Sequence, residues 1–211
     1  ARGPHLKENV VNKSRTHLFV KTAVALAMAV PMLASAESQL TVGAGGASAR
    51  LDFRVIVPRV LFLGVGTGAA AAIPANNTTV DTVTFDYSGN PAALGTGAAA
   101  NAITGNVVPV RVIGNNGQIT LTANTTGALT NATADTIAWS EISATSSLAA
   151  LPSPVIPNTG GGAASNVTLS SGTKITDRSA NWTFSYANST VVAPGTYGTT
   201  NGRVTYTAAM P

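Results

Sequence analysis

ASARLDFRVIVPRVLFLGVG, residues 47–66, is the stretch on which the reading of the whole chain turns. Leu51, Phe53, Val55 and Val57 alternate with Asp52, Arg54 and Ile56. A period of two gives an extended strand one apolar face and one mostly polar face. Pro58 ends the run, because proline has no N–H to give to a ladder. A second β-prone run, residues 60–65, follows at once. A strand cut off by proline from the next one can pair within its own domain or complete a neighbour, and function depends on which.

Residues 1–36 precede this stretch and read as a secretory signal peptide. Lys13, Arg15 and Lys21 form a positive n-region, residues 22–33 an apolar h-region, and Ala34-Ser35-Ala36 a cleavage site before Glu37. Residues 1–10 fit no part of such a signal, and a start at Val11 would leave them untranslated. The leader carries the basic character of the chain. Five of the twelve Lys and Arg and one of the eight acids lie in it, leaving seven of each in residues 37–211. The mature chain is therefore formally neutral and has no basic cluster, so nucleic acid is not expected as a partner. It also has no cysteine. An exported domain without disulfides depends on packing, or on a partner, for stability. No later segment is long and apolar enough for a transmembrane helix, so no stable membrane insertion is expected once the signal is removed.

Downstream, short alternating runs are separated by turn chemistry. Residues 79–87 carry Val83, Phe85 and Tyr87 on one face. Residues 107–113 and 118–125 flank Gly114-Asn115-Asn116-Gly117, which predicts a hairpin turn, with Ile119, Leu121 and Ala123 inward. Residues 136–143 predict a strand with Ile137 and Trp139 in phase, and residues 166–170 a short one. Residues 180–187 place Trp182, Phe184 and Tyr186 in phase. Residues 202–210 close the chain with Val204, Tyr206, Ala208 and Met210 on one face. About eight strands and no 3.6-residue pattern predict an all-β, immunoglobulin-like antiparallel β-sandwich. The expected organisation is a signal peptide (1–36), an N-terminal extension (37–58) and one sandwich domain (59–211).

The chemistry-bearing motifs are few. Gly64-Val65-Gly66-Thr67-Gly68-Ala69 fits a dinucleotide-binding glycine pattern, with Asp86 about 20 residues on. Pro74 leaves no room for the helix that such a site needs, so the glycines read as a loop. Both histidines, His5 and His17, lie in the leader. Without imidazole or thiol the mature chain offers no general base or nucleophile of the usual kinds, and no zinc or copper ligands. Its scattered carboxylates (Asp52, Asp81, Asp86, Asp135, Glu141, Asp177) show no calcium-loop spacing. No catalytic residue, metal or cofactor is expected. Trp139, Trp182, Phe184 and Tyr186 are read as core, with a sugar-stacking platform as the competing reading. The Asn-x-Thr/Ser triplets are read as turn and strand-face composition.

Taken together, the leader, the strand ending in Pro58 before VLFLGVG, the Pro194-Gly195-Thr196-Tyr197 turn and the terminal GRVTYTAAMP resemble subunits of bacterial chaperone–usher pili. The likeness is to the alternative and archaic branches and to spore-coat-U-like secreted domains. It implies an incomplete sandwich completed first by a periplasmic chaperone, then by the N-terminal strand of the next subunit, with an outer-membrane usher as a further partner. Leu51, Phe53, Val55 and Val57 would be the donor side chains. Val60, Phe62, Val204, Tyr206, Ala208 and Met210 would border the acceptor groove. The expected role is that of a structural subunit in a surface fibre serving adhesion or biofilm formation, a rod subunit rather than a tip adhesin at this length. The lack of a disulfide departs from many pilins. The alternative is a self-complete secreted β-sandwich that binds carbohydrate or matrix; an exported enzyme ranks last.

Overall fold

The structure, a computed structural model, describes residues 38–211. The signal-peptide reading of residues 1–36 lies outside the described residues. The chain divides into two units at Ile56 and Val57. In the first, residues 38–56 form no helix or strand. Ser48 donates to Gln39 Oε1 through its backbone N–H at 3.2 Å and its hydroxyl at 3.3 Å. The strand expected over residues 47–57 is thus not formed. Alternation supplies a face, but a strand also needs a partner for its N–H and C=O groups.

The second unit, Val57–Pro211, is built from twelve strands. They are β1 (Leu61–Val65), β2 (Thr84–Asp86), β3 (Ala102–Thr104), β4 (Val107–Gly114), β5 (Ile119–Thr125) and β6 (Leu129–Thr130). These are followed by β7 (Thr136–Ile137), β8 (Ile142–Ser146), β9 (Gly160–Gly161), β10 (Ser165–Val167), β11 (Thr176–Tyr186) and β12 (Thr205–Ala209). Every ladder is antiparallel. One sheet runs β1-β4-β11-β8; the other runs β10-β5-β12, with β9 also on β5. β2 and β3 form a small ribbon, as do β6 and β7. The protein is an all-β sandwich, and the described residues contain no α-helix.

Period-two alternation makes the core. β4 buries Val108, Val110 and Val112, and β11 buries Trp182 and Phe184. The facing sheet contributes Ile119 and Leu121 from β5 and Val167 from β10. Trp139, Leu151 and Ile156 complete the cluster from connecting segments. Two sheets with one apolar face each must cover those faces, and here they cover each other.

Three local expectations are corrected. Residues 114–117 are not a hairpin turn: β4 and β5 lie in different sheets and share no ladder, so the chain arches from one layer to the other. Both strands turn an apolar face to the same core, which puts them face to face rather than edge to edge. The strand expected at 136–143 is broken by a 3-10 turn at Trp139–Glu141, which separates β7 from β8. That turn lets the Trp139 indole N–H reach Gly127 O at 2.8 Å. The strand expected at 79–87 is only three residues long, Thr84–Asp86. The glycine motif forms a five-residue 3-10 turn, Gly66–Ala70. It folds back so tightly that a Cβ on Gly64 would stand 2.8 Å from Ala69 Cα. No helix among the described residues is long and apolar enough to cross a membrane.

Candidate functional site

A two-layer sandwich has two lateral seams, where the edge strand of one sheet runs beside that of the other. Here the seams differ. At the β8/β10 side the connection over residues 147–158 lies across the opening and buries Leu151, Pro154 and Ile156. It is tied down on both sides. Thr168 N donates to Ala150 O at 2.8 Å, Trp182 Nε1 to Leu151 O at 3.2 Å, and Thr125 Oγ1 to Pro157 O at 2.8 Å.

The β1/β12 side has no such cover among the described residues of this unit. β1 pairs only with β4, and β12 only with β5. The two strands approach within 8 Å, Cα to Cα, yet no ladder joins them. Each therefore keeps one free edge of N–H and C=O groups facing the seam. The side chains along it are apolar and half-buried. Leu63 and Val65 of β1, and Val204, Tyr206, Ala208 and Met210 in and beside β12, pack against the core without being covered by it.

The expected groove residues divide accordingly. Val204, Tyr206, Ala208 and Met210 share one face, alternating with exposed Thr205, Thr207 and Ala209. Phe62 does not join them. It stands opposite Ile113, on the face of the sheet away from Val110 and Val112, while its neighbours Leu63 and Val65 take the inward positions. Val60 is 40% exposed and lies before the strand begins. Residues 60–65 are apolar throughout apart from Gly64, so alternation cannot tell which of the run faces the groove; the pairing register picks out Leu63 and Val65.

One pole of the seam is fastened by polar bonds. Asn115 Oδ1 accepts from Val60 N, and Asn115 Nδ2 donates to Pro58 O, both at 2.8 Å. Asn115 N donates to Val60 O at 3.3 Å. Asn116 Nδ2 donates to Pro211 O at 2.6 Å, and Arg59 Nη2 to Met210 O at 3.0 Å. The start of β1 and the end of β12 are thus both held at the 114–117 arch.

Tyr206 is the polar exception within the seam. Its ring lies 5.1 Å from that of Trp182, and its hydroxyl is buried with no hydrogen-bond partner among the described residues. Burial pushes its pKa well above the usual phenol range.

The expected donor residues Leu51, Phe53 and Val55 in the first unit are 76%, 85% and 84% exposed, and Val57 is 72% exposed. None belongs to a strand. Together they make an exposed apolar patch, a feature that commonly marks an interaction site.

Elsewhere the polar residues hold loops. Asp81 accepts from the backbone N–H and the hydroxyl of Thr67, at 2.5 and 2.7 Å. Glu141 accepts from the backbone and hydroxyl of Ser189, Asp135 from Thr133 and Asn131, and Asp177 pairs with Arg111 at 3.4 Å. Among the described residues no three His, Cys, Asp or Glu gather as a metal site. The stacking platform is not formed: Trp182 is fully buried, and Trp139 and Phe184 are 5% and 8% exposed. Only Tyr186 remains half-exposed, edge-on to Tyr87 at 6.0 Å. A depression of about 340 Å³ beside Trp139, Ile142 and Pro154 contains no charged residue.

No protein-family profile matches this chain, and neither characterised proteins nor solved structures yield a significant match.

Proposed function

We propose that this chain is a structural subunit of a bacterial surface fibre, exported through a Sec signal and polymerised by donor-strand complementation between identical copies. The observation that carries the reading is a matched pair of deficits. Among the described residues, 51–57 have an apolar face and no strand partner, and the seam between β1 and β12 has an apolar floor and two edges that no strand pairs with.

Strand order supports it. In an immunoglobulin-like sandwich one sheet is A-B-E-D and the other contains C, F and G. Here β1-β4-β11-β8 corresponds to A-B-E-D, and β5 and β12 to C and F. The position of G, beside F, is filled by no strand among the described residues. A strand of a second copy laid there turns Leu51, Phe53, Val55 and Val57 inward and Asp52, Arg54 and Ile56 outward. Its backbone pairs with the free edges, and Pro58 stops the ladder. Burying four such side chains contributes roughly 6–12 kcal/mol as an upper figure, comparable to the stability of an ordinary domain. A groove this apolar also needs protection before assembly, which gives a periplasmic chaperone and an outer-membrane usher their roles. Adhesion or biofilm formation is the function of the resulting fibre.

Removal of residues 37–57 tests the reading. The shortened chain should stay monomeric where residues 37–211 polymerise. It should also take up a synthetic peptide of residues 47–58 with a rise in Tm. Polymers that persist after the deletion, or a peptide that leaves Tm unmoved, would sink it.

A further inference from the structure

The fastened pole bears on a choice that an incomplete sandwich faces: to take its missing strand from another copy, or to fold its own extension back into the seam. The question rests on the reading above. For fold-back, residues 51–57 would have to run antiparallel to β1, since Val57 and Leu61 are only four residues apart. Residues 58–60 would then form the turn of a β-hairpin.

Two independent features oppose that turn. The first is Asn115. The β1–β4 register pairs Leu61 with Gly114, so its next step is Val60 with Asn115. Asn115 takes that step with its backbone N–H on Val60 O, and its side-chain amide takes both Val60 N and Pro58 O. Three bonds therefore keep Pro58, Arg59 and Val60 in line with β1 rather than reversed. Arg59 adds a fourth, to Met210 O. The second feature is turn chemistry. A three-residue hairpin loop wants a left-handed residue, usually glycine, at its end. Pro58-Arg59-Val60 has none, and β-branched Val60 is among the residues least able to take that conformation.

We infer that Asn115 is a positioning residue that blocks self-complementation, so that the seam is left for the strand of a second copy. The amide does this by its two-sided geometry, accepting one N–H and donating to one C=O. An alanine does neither.

The test uses residues 37–211 in three forms: wild type, Asn115→Ala, and a chain with Asn-Gly inserted between Pro58 and Arg59. The insertion supplies a hairpin turn without touching Asn115, and so keeps the test valid should Asn115→Ala fail to fold. Oligomer distribution is read by sedimentation, and amide hydrogen exchange over residues 51–57 is read in the monomer fraction. Wild type should polymerise, and its residual monomer should exchange freely at 51–57. Loss of the amide bonds should raise the closed-monomer population roughly tenfold, with those amides protected. The insertion should do the same or more. Wild-type polymer levels and free exchange in both variants would overturn the inference while leaving strand donation standing. Protection of 51–57 in the wild-type monomer would overturn it as well, because that chain would already be self-closed. Absence of polymer, protection and peptide uptake in all three forms would instead remove the parent reading, and this inference with it.

Discussion

Tyr206 shows how much a single atom can matter at the β1/β12 seam. Its ring packs on Trp182, but its hydroxyl is buried and has no hydrogen-bond partner among the described residues. A hydroxyl taken from water without a partner is a cost, so removing the oxygen should not hurt the fold. Tyr206→Phe is expected to leave stability at pH 7 unchanged or higher by up to about 1 kcal/mol in urea unfolding. A loss of that size would show that the hydroxyl has a partner in solution. The alkaline limb gives a second measurement. Unfolded tyrosine ionises near about pH 10, while burial holds the Tyr206 phenol above that in the folded chain. The stabilising contribution of the neutral form is whole below that pH and is lost as pH rises past it. Tyr87, Tyr186 and Tyr197 are also raised, chiefly by burial. The variant should therefore lose less stability than wild type above about pH 10, without losing none.

The elements divide into those the sequence could specify and those it could not. Leu151 illustrates the second kind. It is fully buried, yet it sits in a proline-rich connection with no period, where nothing marks it as core. Its carbonyl accepts from Trp182 Nε1 and from Ser146 Oγ, so side chain and backbone together hold the closed seam. Leu151→Ala should cost about 2–5 kcal/mol by chemical denaturation, since its surroundings are anchored and cannot collapse into the gap. A change below about 1 kcal/mol would show that the connection is not part of the cooperative fold. The strands β4, β5, β11 and β12 were legible because each turns one face to the core, buried in the first three and half-buried in β12, which forces alternation. Their partners were not. The same alternation in β4 and β5 fits a hairpin or an arch, and only the shared core decides between them. Residues 51–57 carry the same ambiguity further, with a clear face and no strand partner among the described residues. At residues 60–65 the period itself fails, and Phe62 could not be told from Leu63.

At the scale of the whole molecule, the described residues contain no histidine, and their charged groups are few and mostly solvated. With no imidazole to change charge near neutrality, the fold should respond little to pH from about 5.5 to 8. The acid limb is different. Hydroxyl, side-chain amide and backbone donors hold the carboxyls of Asp86, Asp135 and Glu141 below their ordinary values, through Ser88, through Thr133 and the Asn131 amide, and through Ser189. A carboxylate with a lowered folded pKa contributes stability that is present above its unfolded value, near about pH 4, and is lost as pH falls through the folded one. All three groups are close to the surface, so the loss should be shallow rather than a sharp acid collapse. Calorimetric Tm measured on the chain lacking residues 37–57, which removes the proposed donor segment from the measurement, should be level from pH 8 to 5.5 and decline below about 4. Replacing Glu141 by Gln should lessen that decline while lowering Tm at neutral pH, because the amide accepts from Ser189 less strongly than the carboxylate. A step in Tm between pH 6 and 7 would count against this, since residues 58–211 contain no histidine.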